Sequence, residues 1–188
     1  MLKFTGAYFA NFDYTPLDNV KIKESPIKVV TPSHTILDWK VSNTFSQNVL
    51  NDAYEIDNVM TDELKWIDAK TDNRGILNFA SVSKISKEKN TIFAKIKFYS
   101  EKEQVKRVDF GFSDTEKVYF NNKLLFSAND TYRTRDYRFL GTVGYYDSVY
   151  IPMKKGENEI WFAVSEKFGG WGIKAKFEDF DNIKLINK

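Results

Sequence analysis

The chain has 188 residues, of which 42% are hydrophobic and 16% aromatic, enough apolar material for the core of one domain of ordinary size. Its 28 Lys and Arg residues nearly balance 26 Asp and Glu residues, and a net charge of +2 is too small for the extended positive field of a nucleic-acid-binding protein. The lack of cysteine excludes disulfides, thiolate metal sites and cysteine nucleophiles. No apolar run is long enough to span a bilayer. We therefore expect neither nucleic acid nor a membrane as a partner.

The N-terminal part of the chain is predicted to be separate from the main domain. Residues 7–14 have a strand-like pattern, and Pro16, Pro26 and Pro32 divide the following stretch into extended pieces. We expect a leading strand and linker over residues 1–33 and one β-sandwich domain over residues 34–188. The first residues lack the apolar core of a signal peptide, so export of this domain would require a signal encoded upstream, in a longer chain.

From residue 91 onward, apolar side chains recur at every second position, which predicts strands with one buried face. In the first run, Ile92, Ala94 and Ile96 share one side, whereas Lys95 and Lys97 lie on the other, which we interpret as its solvated face. The remaining predicted inward positions are Phe98, Val108, Phe110, Phe112, Val118, Phe120, Val149, Ile151, Met153, Ile160, Phe162, Val164, Ile173, Ala175 and Phe177.

Two hairpins are predicted between these runs. Asn121 and Asn122 tolerate positive φ and separate two runs within residues 117–127, and the turn residues 154–158 separate the next two. Residues 46–60 have apolar side chains at helical spacing, but their many Asn and Asp residues favour a loop with a single helical turn. The succession of strands and turns predicts an all-β fold, an antiparallel β-sandwich.

Catalytic chemistry has little support in the sequence. The only histidine, His34, stands near Ser33 and Asp38, but the members of a catalytic triad usually come from separate elements, and no Gly-x-Ser-x-Gly elbow is present. Residues 109–111 read Asp-Phe-Gly, as in protein kinases, yet they lie inside a strand pattern without the other kinase motifs. The chain is therefore predicted not to be an enzyme and to carry no cofactor.

An acidic stretch follows the last predicted strand. Glu178, Asp179 and Asp181 place carboxylate oxygens close together, as calcium sites do, but without the spacing of an EF-hand. We interpret this stretch as an ordinary charged strand end rather than a metal site.

The long connection over residues 129–147 has the densest set of candidate binding residues, with three arginines, four tyrosines and three aspartates. Sugars are bound by aromatic faces beneath their C–H surfaces and by planar polar side chains around their hydroxyls, and the connection offers both. An alternative is that its Arg and Asp side chains pair with each other and tie the connection to the sheet. The candidate carbohydrate-binding residues in the connection are Tyr132, Arg133, Arg135, Asp136 and Tyr146.

Trp171 is the last candidate binding residue. It stands in the sequence Gly169-Gly170-Trp171-Gly172, so its neighbours have no side chains that would cover the indole. Two alternatives remain open: the indole lies over a sugar ring at the rim of the sandwich, or it fills the end of the core.

Two segments resemble a known family. Residues 117–126 (KVYFNNKLLF) resemble a hairpin of the galactose-binding-like jelly-roll domains, which include the sugar-binding domains of family 2 glycoside hydrolases. Residues 151–160 (IPMKKGENEI) are similar to the strand, turn and strand that follow in those domains, although Asn122 stands where the family commonly has Gly. The resemblance covers about residues 60–180 and implies a jelly roll. Because the catalytic residues of those glycosidases lie in another domain, it also implies an accessory module.

The N-terminal residues 4–14 (FTGAYFANFDY) resemble the closing strand of a concanavalin-like or laminin-G-like sandwich, which implies a second, lectin-like domain upstream; an ordinary first strand of the present domain is the alternative. Our first hypothesis is a carbohydrate-binding-like, non-catalytic module of a larger exported bacterial protein. The second is a structural module that packs against a neighbouring catalytic or lectin-like domain. A glycan or such a domain is thus the expected partner.

Overall fold

The computed structural model describes residues 13, 15, 16, 30–131 and 142–186. The described chain folds into two antiparallel β-sheets packed face to face, which confirms the predicted all-β sandwich. The predicted leading strand over residues 7–14 lies outside the described residues, apart from Asp13. In the described ranges no helix is long and apolar enough to cross a membrane.

Within the described ranges the chain forms eleven strands and three short helical segments. The strands are β1 (Asp38–Ser42), β2 (Trp66–Lys70), β3 (Leu77–Asn78), β4 (Thr91–Ser100), β5 (Gln104–Phe112), β6 (Thr115–Phe120), β7 (Lys123–Asn129), β8 (Asp147–Met153), β9 (Gly156–Ser165), β10 (Gly172–Phe177) and β11 (Ile183–Leu185). The helical segments are Gln47–Leu50 and Phe79–Ser81, both 3₁₀, and the α-helical turn Asn58–Thr61. Two of them fall in or beside residues 46–60, where a single helical turn was predicted.

The two sheets differ in size. The larger sheet has seven strands in the order β2-β1-β4-β9-β6-β7, and β11 pairs with β4 as well. Since β9 pairs with β4 along its whole length, β1 and β11 share the opposite side of β4. The smaller sheet has four strands in the order β3-β10-β5-β8. β6, β8 and β10 begin at one end of the sandwich, and β5, β7 and β9 end there. We call this end the loop end.

The predicted hairpin around Asn121 and Asn122 is confirmed. β6 and β7 pair antiparallel, and the two asparagines have φ angles of 46° and 72°. Positive φ at both central residues is the requirement of a type I′ turn, whose twist matches that of the flanking strands. Asn is one of the few residues other than Gly that adopt this conformation at low cost.

The second predicted hairpin is wrong. β8 pairs with β5 in the smaller sheet, whereas β9 pairs with β4 and β6 in the larger one. The turn between them therefore crosses from one sheet to the other. The Asn158 side chain supports this crossing, because its amide nitrogen donates to the carbonyl oxygens of Lys154 (2.8 Å) and Gly156 (3.1 Å).

The core lies between the two sheets. All the predicted inward positions are buried, and Ile92, Phe110 and Phe162 are completely inaccessible to solvent. Trp39 on β1 packs edge-on against Phe162, with 5.6 Å between the ring centroids. Period-two alternation thus identified the core face of every strand from β4 to β10 except β7, because each has one face against the other sheet.

A second apolar layer covers much of the outer face of the larger sheet. Residues from the segment 45–64 pack on Phe93, Tyr119 and Trp161, and the Tyr119 hydroxyl donates to the carbonyl oxygen of Ala53 (2.9 Å). Lys95, predicted to be solvated, is half-buried: its ammonium nitrogen lies 3.8 Å from the Trp66 ring centroid and 4.2 Å from that of Trp161. Burial lowers the pKa of Lys95 from its ordinary value. The outer face of the smaller sheet carries charged residues, including Arg107, Lys174 and Lys176, together with the exposed Val105 and Tyr150.

Candidate functional site

A groove of about 470 Å³ lies along the β3 edge of the smaller sheet, toward the loop end. Its volume is in the range of pockets that hold small ligands. Three connections meet there: β2 to β3, β9 to β10, and the last part of the long connection between β7 and β8. The lining residues are Lys70, Thr71, Asp72, Arg74, Ile76, Asn78, Ser81, Val143, Gly170, Trp171 and Gly172.

The polar wall of the groove is organised by Asp72. Its Oδ1 accepts the backbone N–H groups of Arg74 and Ile76, both at 2.9 Å, and its Oδ2 accepts the Arg74 Nε–H at 3.0 Å. Burial acts to raise the pKa of Asp72, but these hydrogen bonds and the Arg74 charge outweigh it and lower the pKa below the ordinary value. The Arg74 side chain is 64% exposed, so its terminal N–H groups are accessible to a ligand.

The turn that carries Arg74 is held against the body of the domain. Gly75 has a φ of 77°, and a Cβ atom at this position would lie 2.6 Å from Cγ2 of Thr35. Glycine is thus required both by the backbone conformation and by the close approach. The Thr35 hydroxyl donates to the carbonyl oxygen of Pro32 (2.7 Å) and lies 2.9 Å from the hydroxyl oxygen of Tyr145.

Trp171 is part of the core, in agreement with the second alternative. It is 6% exposed, its ring lies 5.4 Å from that of Phe79, and its Nε1–H donates to the carbonyl oxygen of Val164 (3.2 Å). Its small exposed part contributes to the groove, while the rest of the side chain belongs to the core. A direct sugar contact by Trp171 stays a prediction, and its burial leaves little of the ring for such a contact.

Tyr145 lies on the outer face of the smaller sheet, beside the groove. The ammonium nitrogens of Lys174 and Lys176 lie 4.3 Å and 4.9 Å from its ring centroid. Lys174 Nζ also donates to the carbonyl oxygen of Arg74 (3.1 Å), and burial lowers the pKa of Lys174. These contacts join the long connection, β10 and the Arg74 turn into one structure.

Tyr146, the one candidate residue of the connection that falls within the described residues, packs on its own segment. It is 42% exposed, and its hydroxyl lies 3.0 Å from Oγ1 of Thr142. The ring also lies against Gly144, where an added Cβ would be 2.3 Å from it. The exposed part of the ring remains accessible to a ligand.

The other four predicted site residues, Tyr132, Arg133, Arg135 and Asp136, lie outside the described residues, so their role stays a prediction. The long connection contributes Val143 to the groove. Sequence reasoning missed Asp72, Arg74 and Asn78. The only signal for them was the turn-forming stretch of residues 71–75 (TDNRG), which resembles any polar loop.

The acidic stretch after β10 forms ordinary contacts. The Asp179 carboxylate pairs with the Lys106 ammonium group and accepts the Asp181 N–H (2.8 Å), and Oε1 of Glu178 accepts the Arg107 N–H (3.2 Å). Hydrogen bonding by Lys106 lowers the pKa of Asp179. Among the residues that the structure describes, no three His, Cys, Asp or Glu side chains are arranged to hold a metal ion.

His34 is an exposed residue with a φ of 61°, four residues before the start of β1. Its ring packs edge-on against Phe180, with 5.6 Å between the centroids. In the described ranges it makes no hydrogen bond to a serine or a carboxylate through its ring, so the Ser33, His34 and Asp38 set does not form a triad there.

Comparison with known proteins gives matches to solved structures alone, since no family model and no curated protein matches the sequence. The chain is similar to a family 35 carbohydrate binding module from an environmental isolate, with 12% identity over 52% of this chain and 72% of that chain, and a TM-score of 0.37. It is also similar to a GH2 β-galacturonidase from Eisenbergiella tayi, with 13% identity over 79% of this chain and 26% of that chain, and a TM-score of 0.43.

A β-glucuronidase from Ruminococcus gnavus matches at 11% identity over 88% of this chain and 31% of that chain, with a TM-score of 0.43. The chain thus spans about a third or less of these two enzymes. Matches at this level of identity and TM-score assign neither a ligand nor an activity to the chain.

Proposed function

We propose that the domain is a non-catalytic, carbohydrate-binding-like accessory module of a larger exported protein. The glycan would occupy the groove along β3 and extend toward the long connection, where Tyr132, Arg133, Arg135, Asp136 and Tyr146 would contact it. The observation that carries the proposal is the groove itself: a concave site of about 470 Å³ with planar polar side chains on one wall.

The chemistry of the groove suits a sugar. The Arg74 guanidinium is fixed in position by Asp72 and offers planar N–H donors. The side-chain amide of Asn78 offers further N–H donors, and the hydroxyl oxygen of Ser81, whose hydrogen is donated to the Asn78 carbonyl oxygen (2.7 Å), offers an acceptor. Sugar hydroxyls need such groups because each hydroxyl both donates and accepts. Val143 and the small exposed part of Trp171 supply apolar surface beside them.

A hydrolytic site would need a different arrangement. Glycoside hydrolysis uses two carboxyl groups that flank the scissile bond. The residues described as lining the groove include one carboxylate, Asp72, whose oxygens are both hydrogen-bonded within the Arg74 turn. This supports binding without catalysis.

The test is a screen of the full chain on a glycan array, followed by calorimetric titration of the glycans that bind. Arg74→Ala should weaken binding at least about tenfold, which corresponds to about 1.4 kcal/mol. The matched control is Lys155→Ala, which removes an exposed positive charge from the β8–β9 turn, far from the groove. Equal affinity of the two variants would refute the groove as the site. A failure of the unaltered chain to bind any glycan would favour the interdomain role.

A further inference from the structure

Phe168 is the most exposed large hydrophobic residue in the described ranges. It is 84% exposed, compared with 72% for Val30 and 71% for Tyr54. It stands in the β9–β10 connection, two residues before Gly170, which lines the groove. A phenyl ring exposed to water is unfavourable by itself.

The backbone at Phe168 is anchored by a buried carboxylate. Oδ2 of Asp114 accepts the N–H groups of Lys167 (2.6 Å) and Phe168 (2.8 Å), and Asp114 is 8% exposed. Hydrogen bonds from two amides to one buried carboxylate are charge-assisted and stronger than neutral ones. The position of the Phe168 backbone is therefore set by the body of the sandwich.

The start of the same connection is also fixed. The Glu166 N–H donates to the carbonyl oxygen of Asn90 (2.9 Å), and the Asn90 side-chain amide donates back to the carbonyl oxygen of Glu166 (3.2 Å). Beyond Phe168, Cβ atoms added to Gly169 or Gly170 would meet nothing within 4 Å. The connection is thus held by hydrogen bonds at Glu166 and has open space around Gly169 and Gly170. Phe168 lies between these two parts in the chain.

We propose that Phe168 is the aromatic contact of the groove, against which a pyranose ring of the bound glycan places its C–H face. This inference rests on the proposed carbohydrate-binding function and assigns the stacking role to Phe168 rather than to Trp171. Asp114 is its positioning residue, because it holds the Phe168 amide without touching the ligand. The glycan class is one with a continuous C–H face, such as β-linked gluco- or galactopyranosides.

The surroundings of Phe168 favour a sugar over an apolar partner. Its chain neighbours are Lys167, Gly169 and Gly170, none of which adds apolar side-chain surface. Protein and membrane interfaces usually bury contiguous apolar patches. A single aromatic residue, two positions from Gly170 in a groove lined by both polar and apolar side chains, instead matches the division of a pyranose into C–H faces and hydroxyl edges.

The experiment titrates the full chain with cellohexaose, β-1,4-linked galactohexaose, xylohexaose and mannohexaose, and with any further glycan that binds on the array. Phe168→Ala should reduce affinity at least about tenfold, whereas Phe168→Tyr, which keeps the ring, should change it less than about threefold. Tyr54→Ala is the matched control, since Tyr54 is 71% exposed and its carbonyl oxygen accepts the Leu124 N–H near the end of the β6–β7 pair that is far from the groove. The glycan affinity of this variant should equal that of the unaltered chain.

Asp114 is tested separately. Asp114→Ala should weaken glycan binding and speed hydrogen exchange of the Lys167 and Phe168 amides, and Asp114→Asn should partly restore both, because its carbonyl oxygen still accepts hydrogen bonds. Phe168→Ala should leave the exchange of those amides unchanged. If the unaltered chain binds and Phe168→Ala binds equally well, the inference is wrong but the proposed function stands. If the unaltered chain binds none of the glycans, both fail.

Discussion

The carbonyl oxygen of Gly144 lies 1.5 Å from the position that a Cβ atom would occupy on Gly111. No side chain fits there, so the last part of the long connection rests directly on the backbone of β5. The Tyr146 N–H strengthens this contact by donating to the carbonyl oxygen of Phe110 (3.0 Å). The position of Tyr145 and Val143 next to the groove depends on it.

Gly111→Ala should therefore displace residues 142–146 and destabilise the domain by roughly 1–3 kcal/mol, the usual cost of forcing extra atoms into a packed site. Denaturant unfolding measures the stability, and tyrosine NMR signals report the displacement. The matched control is Gly170→Ala, where an added Cβ meets nothing within 4 Å, and its stability should stay within about 0.5 kcal/mol. Equal stability of the two variants would contradict the contact.

Trp171→Ala should destabilise the domain by roughly 3–5 kcal/mol, because the indole is buried against Phe79 and its N–H is hydrogen-bonded. Thermal and denaturant unfolding measure the loss. Tyr146→Ala, which removes a ring that is 42% exposed, should cost far less. If Trp171→Ala unfolds like the unaltered chain, the placement of the indole in the core is wrong.

Glu116 should make the domain less stable as the pH rises. It is 1% exposed, and among the described residues neither carboxyl oxygen has a hydrogen-bond partner. Burial, with smaller contributions from the charges of Asp147 and Asp130, raises its pKa well above the ordinary value of 4.5. A raised pKa means that the stabilising effect is fully present below the ordinary value and is lost as the pH increases through the folded-state pKa.

The measurement is the melting temperature from pH 5 upward, for the unaltered chain and for Glu116→Gln. The variant cannot ionise at this position, so its profile should decline less and its stability should exceed that of the unaltered chain at alkaline pH. Parallel profiles would show that Glu116 does not titrate in this range.

Glu166 should titrate near neutral pH. Burial, followed by the charge of the nearby Asp114, raises its pKa to about 7. Its contribution to stability is present below the ordinary value of 4.5 and is lost as the pH increases through about 7. Carboxyl NMR of the labelled protein should locate this titration, and Glu166→Gln should remove it. A titration midpoint at the ordinary value would contradict the burial of this carboxyl group.

The strands from β4 to β10 were predictable, since most of them pack one face against the other sheet and alternation in the sequence identifies that face. Alternation does not identify the partner strand, which is why β8 and β9 were paired wrongly: their spacing and the turn residues 154–158 match a hairpin equally well. The short strands β1, β2, β3 and β11 were missed. Their pattern is brief: in β1 the buried apolar residues are Trp39 and Val41.

The candidate site was less predictable than the fold. Aromatic and arginine content drew attention to residues 129–147, of which the described part places Val143 in the groove and Tyr145 beside it. Arg74 is brought there by the β2–β3 crossing between sheets, a long-range relationship that no local pattern contains. The burial of Trp171 depends in the same way on Phe79, from a distant part of the chain.

The pairing of β4 with β9 has a consequence for how the chain folds. Thr91 pairs with Ser165 and Ser100 with Gly156, so the central strands of the larger sheet meet only after more than fifty intervening residues have been brought together. Closing such long loops costs conformational entropy before the strand pairing contributes any stability. Domains dominated by contacts between distant residues therefore fold slowly, in milliseconds to seconds. The β6–β7 hairpin is local, so its pairing closes only a two-residue loop. The hairpin can pair with β9 only after β9 has joined the sheet. We therefore expect the pairing of β4 with β9 to limit the refolding rate.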